Sequence, residues 1–161
     1  AFTFVAIALV DRVGRKPLLL VGALGQAVML GVMAYAFGTA PVGASGDLQL
    51  SGTMGTVALV AANTYVAFFA FSWGPVMWVM LGEMFPNRFR GAALSLAGLV
   101  QWLSNFTITM TFPILLEAIG LGFSYGIYAA FGLIAFFFVR SFIQETKGRT
   151  LEDMSREAEA A

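Results

Sequence analysis

From Thr53 to Gly91 the chain reads TMGTVALVAANTYVAFFAFSWGPVMWVMLGEMFPNRFRG. Thr53 to Gly82 carries no charge and is longer than a straight crossing of the ~30 Å hydrocarbon core of a bilayer requires. Gly74 and Pro75 lie inside it. A proline removes one backbone donor and clashes with the carbonyl one turn earlier, so a discontinuity in the helix is expected at Gly74 and Pro75. Charge returns only at Glu83, followed by Arg88 and Arg90, which marks the edge of the apolar layer. Only helices and closed barrels satisfy their backbone in lipid, and apolar runs of this length are helical.

Working outward, Leu18 to Gly38 is a 21-residue uncharged run that can span alone. Ala92 to Leu116 and Phe123 to Ile143 complete the set, the former expected to be broken near its outer end by Pro113. Ala1 to Val10 is apolar but reaches only about 15 Å as a helix, roughly half a span. The chain is therefore expected to start in mid-span, as the C-terminal part of a larger membrane protein. Residues 1–143 form a transmembrane bundle in this reading, with spans about 1–10, 18–38, 53–82, 92–116 and 123–143, and residues 144–161 form a polar tail. Composition agrees: 59% of the 161 residues are hydrophobic and 11% charged, against about 25% charged in ordinary soluble domains.

All nine basic residues fall on one side of these spans. Arg12, Arg15 and Lys16 lie in the first connection, Arg88 and Arg90 in the third, and Arg140, Lys147, Arg149 and Arg156 at or beyond the last span. Lys and Arg are retained on the cytoplasmic side of short loops, which puts the C-terminus in the cytoplasm of a cell whose plasma membrane the chain crosses. A net charge of zero removes the footprint of a nucleic-acid binder. Cysteine and histidine are both absent, which excludes thiolate chemistry, Cys or His metal sites and imidazole bases; no cofactor is expected. Gly122-Phe-Ser124-Tyr-Gly126 and Gly43-Ala-Ser45-Gly46 imitate serine hydrolase motifs. Neither has a base within reach, since the chain's lysines, Lys16 and Lys147, lie on the opposite face.

Polar groups inside the bilayer point to function. Gln101 and Asn105 are four residues apart and share a helix face, with Trp102 about 100° to one side. Amides offer the donors and acceptors that a polyol needs, and an indole adds a flat apolar surface. Hydrogen bonding between helices explains the same residues equally well on spacing alone. Phe69 and Trp78 flank the expected break and would point about 180° apart on an ideal helix, so only distortion at Gly74 and Pro75 brings both to one cavity.

Four ordered motifs now stand together: Asp11-Arg12-Val-Gly14-Arg15-Lys16, WGPVMWVMLGEMFPNRFRG from Trp73 to Gly91, Gln101-Trp102-Leu-Ser-Asn105, and Glu145-Thr-Lys147-Gly148-Arg149. In this order and spacing they resemble the sugar porter branch of the major facilitator superfamily, over essentially the whole chain. Gln144 departs from the proline usual before Glu-Thr-Lys-Gly. The resemblance implies an all-α membrane protein, the last part of helix 8 through helix 12 of a twelve-helix alternating-access transporter. Its N-terminal half would be the partner of this part, membrane lipid its solvent and a small sugar its substrate. By the same resemblance Trp78 and Gln101 would bind the sugar, Trp102, Asn105 and Phe69 would line the cavity, and Gly74 and Pro75 would form the hinge. Asp11, Arg15, Glu83, Arg90 and Glu145 would form a cytoplasmic gate. Transport changes no covalent bond, so an enzyme is not expected. Proton coupling stays open, because the family's coupling carboxylate lies in the first helix. The competing readings are a porter of another neutral polyol such as inositol, and a membrane assembly subunit whose polar residues only pack.

Overall fold

The computed structural model describes residues 10, 12–41, 48–50, 52–85, 87–143 and 145. Among these, four helices carry the fold: α1 (Arg15–Gly38), α2 (Thr53–Phe71), α3 (Trp73–Met84) and α4 (Arg90–Phe142). The expected half-span 1–9, the serine string at 43–46 and the tail beyond Glu145 lie outside the described residues. By length and composition α1, α2 with α3, and α4 are able to cross a membrane. Large apolar side chains such as Phe123, Trp102 and Ile114 stand exposed on their outer faces, the surface of a molecule whose solvent is hydrocarbon.

α1 begins after Gly14, whose φ of 104° suits a residue without a Cβ. The orphan N–H groups of Arg15 and Lys16 donate to the two carboxylate oxygens of Glu145, at 2.9 and 3.0 Å. A residue far along the chain thus caps this helix, and its negative charge lies at the positive end of the helix dipole. At the other end Thr39 returns its N–H and its hydroxyl to the Tyr35 carbonyl.

α4 is two helices joined at Gly120 (φ 77°, ψ 169°), the only position within it that leaves helical geometry. Its arms, 90–119 and 121–142, fold back on each other, with the ring of Phe112 against Tyr125 and Tyr128. The expected break at Pro113 is absent: the proline stays within the helix and the chain turns seven residues later. One lost backbone bond is tolerated in a membrane helix, whereas the φ of the turn is open to glycine at little steric cost. The six-residue connection expected at 117–122 contracts to that single residue. The second arm packs antiparallel on α1 through small residues. Gly122 meets the Gly38 backbone, Gly126 meets Ala34 and Gly132 meets Ala27. A cluster of buried apolar residues, Leu18, Leu19, Val76, Met80 and Val139, ties the start of α1 to α3 and to the end of α4.

Candidate functional site: a broken helix beside an amide face

The discontinuity forms two residues before the expected hinge begins. Ser72 (φ −122°, ψ −93°) separates α2 from α3, while Gly74 and Pro75 occupy the first turn of α3. The cause is local. Pro75 cannot donate to the Phe71 carbonyl and its ring crowds that carbonyl, so the chain departs from the helix just before the proline, which then sits where an N–H would be orphaned anyway. The Ser72 N–H turns back to the Phe69 carbonyl (3.2 Å), and the Val76 N–H donates to the Ser72 carbonyl (2.9 Å), restarting the ladder. The Ser72 hydroxyl donates to the Phe68 carbonyl.

The sequence-predicted binding residues separate into a strip and two outliers. On α3, the outer edge of the Trp78 indole lies against Gly98 of α4, 3.8 Å from where a Cβ on that glycine would stand. Gln101 follows Gly98 by three residues and Asn105 follows by a further four, so both continue the same face of α4. The Oε1 of Gln101 is buried and accepts no hydrogen bond among the described residues. Asn105 is exposed. Trp102 points away from this strip and is 69% exposed. Phe69 leans its ring on Gly74, across the break from Trp78. Trp78, Gln101 and Asn105 are therefore brought to one strip, on an open face; Trp102 and Phe69 are not joined to it.

A separate hollow of about 540 Å³ lies between α1, α2 and the second arm of α4, lined by Gln26, Tyr65, Trp73, Tyr125 and Tyr128 among mostly apolar neighbours. Gln26 Nε2 and the Tyr128 hydroxyl are buried there without partners among the described residues. Gln26 is not among the sequence-predicted residues. Its signal was available, since it is the one amide in the uncharged run from Leu18 to Gly38.

At the other end of the bundle the charged groups meet. Arg15 grips Glu83 in a two-pronged pair, Nη2 to Oε1 at 2.7 Å and Nε to Oε2 at 3.0 Å, while its Nη1 donates to the Val10 carbonyl. With Glu145 on the α1 N-terminus and Lys16 Nζ on the Arg140 carbonyl (3.0 Å), the start of α1 is tied to α3 and to the chain beyond α4. Arg90 takes a different part, its Nε donating to the Phe85 carbonyl (3.4 Å). Asp11 lies outside the described residues. Ser124, the imitation nucleophile, is fully buried and gives its proton to the Gly120 carbonyl at 2.8 Å, fastening the turn of α4.

A family model described as "Sugar (and other) transporter" matches residues 1–158. The chain belongs to this family. Sugar transporter family members are transporters, not enzymes. The chain is 55% identical over 152 residues to the glucose transport protein of a Synechocystis strain, covering 94% of this chain and 32% of that protein. It is 45% identical over 160 residues to the D-xylose-proton symporter of Escherichia coli K12, covering 95% and 30% respectively. A solved structure of the major facilitator superfamily proton:xylose symporter XylE, bound to 6-bromo-6-deoxy-D-glucose, superposes with a TM-score of 0.82 at 44% identity, over 97% of this chain and 32% of that one. The fold is accordingly that of the C-terminal part of a major facilitator transporter, and the chain spans about a third of the length of the relatives it matches.

Proposed function

We propose that this chain is the part of a plasma-membrane sugar transporter that supplies one wall of a monosaccharide site, and that the intact protein carries a pentose or hexose by alternating access. The observation that carries the proposal is the Gln101 amide: a buried acceptor with no partner among the described residues, one turn along α4 from the glycine on which the Trp78 indole rests. An unmet acceptor beside an apolar ring is the complement of a sugar, whose hydroxyls donate and whose C–H face stacks. The family and the glucose- and xylose-transporting relatives support the same substrate class. No Lys or Arg lies within α2, α3 or the membrane part of α4, which favours a neutral substrate over an organic acid.

The remaining sugar contacts come from the rest of the polypeptide. Asn105 extends the lining beyond Gln101, Trp102 and Phe69 join it only where the rest of the polypeptide closes over this face, and the break at Ser72, with Gly74 and Pro75 after it, is the hinge that turns α3 away from α2 and carries Trp78 to the site. The cluster of Arg15, Glu83 and Glu145 latches the cytoplasmic end, joined by Asp11 and Arg90 in the closed state, and the C-terminal tail lies in the cytoplasm. Uptake of labelled pentoses and hexoses by cells expressing the intact protein tests the proposal. Saturable uptake of at least one of them, abolished or strongly reduced by Trp78→Ala, is expected; uptake by Trp78→Ala equal to that of the unmodified protein would remove Trp78 from the site.

A further inference from the structure

The break between α2 and α3 is not free-standing. Three successive turns of α1 receive it. The ring of Phe68 lies against Gly25 so closely that a Cβ there would overlap it. Ser72 fits onto Gly22 so closely that a Cβ there would overlap both the Ser72 hydroxyl and its Cβ. One turn earlier, the Trp73 indole Nε1–H donates to the Leu19 carbonyl at 3.1 Å. Leu19 and Ser72 are buried, so these contacts are shielded from solvent. Ser72 is the residue at which the helix changes direction, and Trp73 is the first residue of α3. The Phe68 ring can swing aside, but the Ser72 Cβ is fixed to the backbone at the break itself.

We propose that Gly22 and Trp73 are positioning residues: α1 is the seat of the break, setting the angle at which α3 leaves α2 and hence where α3 carries Trp78. A side chain on Gly22 lifts Ser72 off α1, and loss of the indole N–H releases the first residue of α3. In either case α3 is no longer held at one angle. The effect on sugar transport rests on the function proposed above, whereas the geometry does not.

The test uses the intact protein, with spin labels on cysteines introduced at Val60 in α2 and Met84 in α3, both exposed, in a background without other cysteines. A narrow distance distribution is expected for the parent. Gly22→Ala and Trp73→Phe broaden or shift it, and Ser72→Gly added to Gly22→Ala restores it. Gly31→Ala, the same change on the same helix where a Cβ meets nothing within 4 Å, leaves it unchanged. In transport, Gly22→Ala and Trp73→Phe raise KM roughly two- to tenfold, the equivalent of one neutral hydrogen bond, with Vmax per embedded molecule little changed. Distances in Gly22→Ala and Trp73→Phe that coincide with those of Gly31→Ala overturn the proposal. A parent that takes up no sugar overturns the proposed function instead, and the distances still decide whether α1 seats the break.

Discussion

Gly14 does two things that no other residue can do at its position. Its φ of 104° is strained for any side chain, and a Cβ there would stand 2.6 Å from a carboxylate oxygen of Glu145. Gly14→Ala therefore combines a backbone penalty with displacement of the α1 cap, together about 2 to 3 kcal/mol. Thermal unfolding of the intact protein in detergent should show a clear drop in midpoint, set against Gly31→Ala, where the same methyl meets open space in mid-helix and the midpoint should hold or rise. Equal midpoints for the two variants would mean that the Glu145 cap contributes nothing. Arg15 is the second single-residue case. Its two-pronged grip on Glu83 uses the planar guanidinium, which an ammonium cannot reproduce. Arg15→Lys and Glu83→Gln should both raise the accessibility of this end of the bundle, read by labelling of introduced cysteines, while Arg90→Ala, whose guanidinium rests on a backbone carbonyl, should raise it less. The opposite ranking would move the latch from Arg15 to Arg90.

Among the elements, α4 shows what the sequence could and could not disclose. Its two apolar runs were legible from length and charge alone, and so was the return of the chain between them. The turn at Gly120 was not, because Pro113 carries the stronger local signal and a glycine announces freedom without saying that it is used. Gly120→Ala forces a side chain to φ 77° and should cost about 1 to 2 kcal/mol, read as a lower unfolding midpoint. An unchanged midpoint would show that the arms meet in some other way. The α2–α3 break was legible from Pro75, yet its seat on Gly22 was not. That contact joins residues 50 apart, and a glycine in an apolar helix has the same appearance whether it faces lipid or a neighbour's backbone. Gln101 was legible as an intramembrane amide, but its burial without a partner is a property of packing that spacing does not encode.

For the molecule as a whole, the surfaces divide by role. Small residues close α1 onto the second arm of α4, ion pairs and a carboxylate cap bind one end, and the strip of Trp78, Gln101 and Asn105 is left open. The chain spans about a third of the length of its relatives, and in the function proposed above the rest of the polypeptide supplies the other side of the site. The hollow beside Gln26 and Tyr128 holds two buried polar groups without partners among the described residues. The decisive measurement is the equilibrium affinity of the intact protein for the monosaccharide it is proposed to carry, with and without Gln101→Ala. A loss of about 1 to 3 kcal/mol, the size of an unmet buried hydrogen bond, is predicted. An affinity unchanged by that substitution would contradict the assignment of this amide to the sugar.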